Sequence, residues 1–147
     1  MLATQHAPLA AISPVTLYKI LMLRTEVFVH EQRIVDEPEL DGVDLEPFTE
    51  LYWIEEDDSV VATLRLITEG DTAHIGRVAT SRSARGRGLA GALIEAALSA
   101  TSTDVEISAQ AYLENWYGRF GFTRTGTNYI EAGIDHLPMR RTSGGRY

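Results

Sequence analysis

Arg85-Gly86-Arg87-Gly88-Leu89-Ala90-Gly91 is the segment of this chain best suited to chemistry. Glycines at the start of a helix let backbone N–H groups approach an anion closely, and the helix dipole adds to the attraction. Phosphate is the natural ligand of such a turn. Arg82, Arg85 and Arg87 concentrate positive charge there, in a chain whose formal net charge is −8. Three phosphate-binding patterns compete. A P-loop requires GxxxxGKS or GxxxxGKT, and here both the lysine and the following hydroxyl residue are missing. Gly86-x-Gly88-x-x-Gly91 matches the letters of the dinucleotide fingerprint, with Asp104 or Glu106 as the distal ribose acid. That fingerprint needs a turn that leaves its strand directly, whereas the polar stretch Ser81–Ala84 intervenes here. The third pattern, Arg85-x-x-Gly88-x-Ala90, meets no such conflict.

That third pattern resembles the R/Q-x-x-G-x-G/A signature of the GNAT N-acetyltransferases. The stretch from Val78 to Ala90 looks like the family's central strand and pyrophosphate loop. Downstream, Ala111-Tyr112-Leu113-Glu114-Asn115-Trp116-Tyr117-Gly118-Arg119-Phe120-Gly121-Phe122 resembles its helix-to-strand motif. The two motifs stand in the family's order with a strand between them. Three further tracts narrow the resemblance to the ElaA-like branch: Leu23 to Gln32, Glu39 to Asp44, and Tyr129 to Met139. The likeness covers about residues 15–141. Thr80 replaces a usual aliphatic residue and Arg82 a frequent proline, and Gln110 stands where many GNAT enzymes have asparagine.

The resemblance implies a fold, a cosubstrate and a division of labour. The fold is α/β in the α+β sense: a mixed, mostly antiparallel twisted sheet, splayed after its fourth strand and flanked by helices. Acetyl-CoA would lie in the splay, its pantetheine arm pairing with backbone groups of Val78, Ala79 and Thr80. The Val78 N–H would polarise the acetyl carbonyl, an oxyanion-type contact. Amides of Arg85, Gly86, Arg87, Gly88, Leu89 and Ala90 would hold the pyrophosphate, and Gln110 would contact CoA. Aminolysis of a thioester needs a neutral amine and an acid for the departing thiolate. Tyr117 is that acid by resemblance, four residues before Gly121. An ordinary phenol, with a pKa of about 10, is protonated at neutral pH.

The base is read from residue chemistry and stays open between two candidates. Glu31 closes the first helix and would meet either a cationic acceptor or an internal arginine such as Arg24. His136, expected on the final loop, belongs to the one residue type that ordinarily titrates near neutrality. His30-Glu31 is not a zinc motif, because residue 34 is isoleucine. Glu39, Asp41 and Asp44 lack calcium-loop spacing and read as a solvated acidic loop, so no metal is expected. A non-catalytic acyl-CoA-binding module on the same fold is the alternative to an enzyme.

Positioning these groups requires a definite set of elements. Ser13-Pro14 marks a helix start, and Leu17, Ile20, Leu21, Leu23, Val27 and Phe28 continue with helical spacing to about Glu31. Before it, residues 1–12 hold at most a short strand at Leu9–Ile12. Residues 33–48, with Pro38, Gly42 and Pro47, read as a long loop. Strands follow at Leu51–Ile54, Val60–Ile67 and His74–Thr80, then a helix over Gly88–Ala100 and a strand over Asp104–Gln110. A short helix over Tyr112–Phe120 stops at Gly121. Closing strands are expected at Phe122–Thr127 and Leu137–Arg141, then a disordered tail, Thr142–Tyr147. This order predicts a mixed sheet flanked by helices.

The 147 residues read as a single domain with a core over about residues 13–141 and flexible tails. The chain has no cysteine, which excludes disulfides and a thiol nucleophile and fits a reducing, cytoplasmic setting. Its acidity argues against nucleic acid as partner. No apolar run approaches the roughly 20 residues that span a membrane, and Met1–Ile12 does not read as a signal peptide. The expected partner is a small-molecule or peptide amine. The acids of Glu37–Glu46 hint that it is cationic. A homodimer is compatible with the sequence.

Overall fold

The computed structural model describes residues 2–143. Eight strands form one sheet: β1 (Gln5–Pro8), β2 (Thr49–Glu56), β3 (Ser59–Ile67), β4 (Thr72–Thr80), β5 (Asp104–Gln110), β6 (Thr123–Arg124), β7 (Tyr129–Glu131) and β8 (Ile134–Arg141). Their order is β1-β2-β3-β4-β5-β8-β6, with β7 also on β8. All ladders are antiparallel except β4–β5. That parallel ladder holds only Thr72, Ala73 and His74 against Asp104, Val105 and Glu106. Beyond it the two strands part, and β5 continues on β8 alone.

Helices cover both faces, and β2 shows why. Side chains alternate along a strand. Leu51 and Trp53 face the helix α1 (Pro14–Arg24) and join Ile20, Leu23 and Val27. Tyr52 and Ile54 face α2 (Leu89–Ser99) and join Leu93, Ile94 and Ala97. β2 is covered on both sides, so its apolar residues run together instead of alternating. Ser13 caps α1, its Oγ accepting from the Thr16 N–H at 3.2 Å, with Pro14 at the first position.

The first helix does not run as α-helix to Glu31. It passes at Thr25 into a π-helical turn, Thr25–Glu31, in which the Gln32 N–H reaches back five residues to the Val27 carbonyl. The wider turn brings Glu31 and Gln32 to the gap between β4 and β5. Such turns gather at functional sites. The expected strand at Leu9–Ile12 is instead a 3₁₀ turn at Leu9–Ala11, and the strand lies just before it. β1 is a short, mostly exposed edge strand, so it carries no apolar alternation to read. β7, absent from the expected strands, carries no readable period for the same reason: its three residues are all exposed. The expected Tyr112–Phe120 helix divides into a 3₁₀ turn, Ala111–Leu113, and α3 (Glu114–Gly118). In the expected tail, residues 144–147 lie outside the described residues.

The loop at 33–48 is no solvated acidic segment. Arg24 from α1, Arg65 from β3 and Arg77 from β4 converge on Glu39, Asp41 and Asp44. Arg24 is 1% exposed. Its Nε donates to Glu39 at 2.7 Å and its Nη1 to Asp44 at 2.9 Å. The acids neutralise arginines of the protein itself and are not free for a cationic acceptor.

Candidate active site

Where β4 and β5 part, a cleft of about 440 Å³ opens. Gly76 to Thr80 form one wall, and Ile107, Gln110 and His136 belong to the other. The β4 wall is irregular. Thr63 pairs with Ala79 but Arg65 with Gly76, so β4 carries an extra residue opposite Leu64. Arg77 lies at that bulge with φ of 53°, a left-handed conformation uncommon for a residue with a side chain. Its guanidinium holds it there, donating to the Glu39 carboxylate at 2.9 Å and the Glu39 carbonyl at 3.1 Å. After the bulge the strand is regular. The Ser81 N–H donates to the Val61 carbonyl of β3. By the alternation of strand N–H groups, Thr80 and Val78 present theirs to the cleft.

At the end of β4 the chain makes a 3₁₀ turn, Arg82–Ala84, and enters the glycine loop. Gly86 and Gly88 have φ of 80° and 76°, and open space lies where their side chains would be. Both are needed for backbone shape. Gly88 caps α2 without a side chain, and the first bond back into the helix runs from Ala92 to Gly88. The amides of Leu89 and Ala90 therefore lack partners within the helix. Gly91 serves packing instead: a Cβ there would sit 3.2 Å from the Phe120 ring. That accounts for the third glycine without a dinucleotide site, and the 3₁₀ turn Arg82–Ala84 separates the glycines from the end of β4, where a dinucleotide turn leaves its strand directly.

The loop arginines are already paired. Arg85 grips Glu31 with two bonds of 2.7 Å and donates from Nε to the Thr80 carbonyl at 3.1 Å. Arg82 lies 3.6 Å from the same carboxylate. Arg87 grips Glu56 at 2.8 and 2.7 Å. The hydrogen bonds from Arg85 hold the Glu31 carboxyl below the usual carboxylate range, and Glu31 raises the Arg85 guanidinium in turn. The internal partner of Glu31 is thus Arg85, not Arg24, and the positive charge of the loop is largely offset.

Tyr117, on α3, lines the cleft and is 7% exposed. Trp116 and Phe122 meet its ring edge-on, with centroids at 4.9 and 6.1 Å. Burial, with a smaller contribution from Tyr112, pushes its phenol well above the ordinary value. Gln110 ends β5, and its Nε2 donates to Gln32 Oε1 at 3.0 Å.

His136 stands on β8 opposite Gln110, not on a loop. Only 6% of it is exposed. Its Nδ1 lies 2.7 Å from the Ile134 carbonyl. A carbonyl can only accept, so Nδ1 carries a proton, and in the neutral ring the lone pair is on Nε2. Beyond it lies Glu131, 3.9 Å from Nε2. Glu131 accepts from Ser108 Oγ, which also touches the Tyr129 hydroxyl. Glu131, Ser108 and Arg77 were not singled out from the sequence. The turn signal at Ala132-Gly133, both with positive φ, could have marked a hairpin that folds Glu131 back over His136.

A family model described as an acetyltransferase (GNAT) domain matches residues 21–143. The UPF0039 protein Rv2851c of Mycobacterium tuberculosis is 44% identical over 136 residues, covering 88% of this chain and 86% of that one. Protein ElaA of Escherichia coli is 35% identical over 135 residues, 85% of this chain and 86% of its own. The ElaA crystal structure superposes with a TM-score of 0.88 over 96% of this chain and 99% of that one. An acyl-CoA N-acyltransferase from Pseudomonas aeruginosa superposes with a TM-score of 0.89 at 39% identity, over 97% of this chain and all of that one. With sequence, sheet order and cleft in agreement, the chain belongs to the GNAT acetyltransferase family and, within it, to the ElaA-like branch.

Proposed function

We propose that the protein transfers an acetyl group from acetyl-CoA to a primary amine by direct attack in a ternary complex. The observation that carries this reading is the broken β4–β5 ladder, with strand amides on one wall, an open helix N-terminus at one end and a protonated phenol inside. These groups fit a long, phosphate-bearing thioester. Leu89 and Ala90 at the start of α2, with the glycine-shaped turn before them, suit the pyrophosphate. Val78 and Thr80 suit the amide-rich arm, and the Val78 N–H suits the acetyl oxygen. The family name of the 39%-identical Pseudomonas protein supports an acyl-CoA donor.

Tyr117 supplies the proton that the departing thiolate needs. His136 Nε2 is the base, because its lone pair faces the cleft while Glu31 is held by Arg85. Glu31 then serves to place Arg85 beside the phosphate turn. A cleft that only sensed acyl-CoA would have no need of a buried phenol on its wall, so the enzyme reading is preferred to the non-catalytic one.

Calorimetric titration with acetyl-CoA, with NADH and ATP as controls, tests the reading, followed by thiol release with a panel of amines. Saturable binding of acetyl-CoA alone and amine-dependent thiol release are expected. A folded protein that fails to bind acetyl-CoA would sink the proposal.

A further inference from the structure

One wall of the cleft carries charge that acyl transfer itself does not use. Four glutamates line the cleft: Glu31, Glu37, Glu39 and Glu131. Glu31 is committed to Arg85, and Glu39 to Arg24 and Arg77. Among the described residues no arginine or lysine pairs with Glu37 or Glu131; the group nearest to Glu131 is His136. Glu131 is not adrift in solvent. Ser108 Oγ donates toward its two oxygens at 3.4 and 3.5 Å, and Tyr129 braces Ser108 from behind. Beneath it, His136 is nine-tenths buried, with Nδ1 tied to Ile134 and Nε2 without a hydrogen-bond partner. A braced, unneutralised carboxylate beside an unpartnered imidazole nitrogen suits one class of ligand, a protonated amine.

We infer that the β7–β8 hairpin is the acceptor subsite, with Glu131 the residue that receives the incoming ammonium. The inference rests on the acetyltransferase reading and adds the substrate class. The acceptor is a cationic alkylamine without an acidic group near it, and a second cationic end facing Glu37 strengthens its binding. Glu131 holds R–NH₃⁺ and His136 Nε2 takes one proton, leaving R–NH₂ and an imidazolium that Glu131 stabilises. The nitrogen attacks the thioester carbonyl; the C–N bond forms and the C–S bond breaks. The thiolate gains a proton from Tyr117, the nitrogen's second proton restores the Tyr117 phenol, and the imidazolium returns its proton to solvent. The products are the amide, CoA thiol and one proton. An acceptor that carries a carboxylate in place of the second cationic end meets Glu37 with like charge, which costs affinity.

Two probes of equal carbon number separate the outcomes: putrescine, ending in a second ammonium, and γ-aminobutyrate, ending in a carboxylate. The expected kcat/KM for putrescine exceeds that for γ-aminobutyrate by about tenfold or more. Glu131→Gln lowers both values about tenfold, because both probes present an ammonium to it and this is the usual scale for one charge-assisted hydrogen bond. Glu37→Gln lowers the putrescine value and raises that of γ-aminobutyrate, so the ratio collapses. Acetyl-CoA affinity, read by calorimetry, stays at the wild-type value. Equal rates for the two probes, turnover of neither, a putrescine value unmoved by Glu131→Gln, or a ratio unmoved by Glu37→Gln each overturn the subsite and leave acetyl-CoA binding intact. Failure of the wild-type protein to bind acetyl-CoA overturns the acetyltransferase reading as well. Glu131 is exposed at the end of β7, so its replacement does not threaten the fold.

Discussion

In the proposed reaction a phenol gives up its proton only when a thiolate departs, and burial among Trp116 and Phe122 keeps that of Tyr117 from ionising beforehand. Tyr117→Phe is expected to lower kcat about 10²-fold, with the acetyl-CoA Kd unchanged by calorimetry; an unchanged kcat would remove the hydroxyl from the mechanism. Asp41 shows the opposite perturbation. Hydrogen bonds from Arg65 at 3.0 and 2.8 Å, helped by the Val43 N–H, lower its carboxyl to about 2. A folded pKa below the unfolded one, near 3.9, gives stability that is full above about pH 4 and lost as pH falls toward 2. Urea unfolding across that range should show this loss, and Asp41→Asn should flatten it while lowering stability at pH 7. At this scale the sequence was readable where spacing is local. Tyr117 is marked by its distance from Gly121. The partner of Glu31 is 54 residues away, and no local pattern points to it.

Elements convert those side chains into a site. The proposed phosphate turn depends on Gly86 and Gly88 holding positive φ. Gly88→Val forces a β-branched residue into that conformation, at a cost of about 1–3 kcal/mol. It also reshapes the turn that presents the first amides of α2. The expected result is a lower unfolding midpoint together with weaker acetyl-CoA binding; a variant with wild-type affinity would detach the turn from the ligand. Helix α2 and strands β2 to β5 were legible because burial imposes a period on them. The π-helical turn was hidden, since apolar spacing continues smoothly from α1 through Val27 and Phe28 while the backbone bonding changes beneath it. β7 was hidden because three exposed residues carry no period at all.

On the scale of the whole molecule, the arginine–carboxylate network is the tie between layers. It joins α1, the 33–48 loop, β3 and the bulge of β4. Its acids look like surplus charge in the sequence only because the arginines they meet come from distant elements. Removing one partner of such a buried set strands the others. Arg24→Met is expected to cost about 3–5 kcal/mol and to lower the melting temperature by roughly 10 °C. A calorimetric scan showing no change would mean that the network is dispensable. The gap between β4 and β5 has a bearing on the protein's life outside catalysis. Most sheets confine their unpaired amides to the rim, where charge and short strands keep other chains away. This one holds a stretch of them in its middle, where β4 and β5 part. A tightly held occupant would act as a missing strand. At a hundred times its dissociation constant it would add about 2.7 kcal/mol to stability, and the amides of Val78 and Thr80 would pass from fast to slow hydrogen exchange. The supply of that occupant would then set how long the folded chain survives as well as how fast it works.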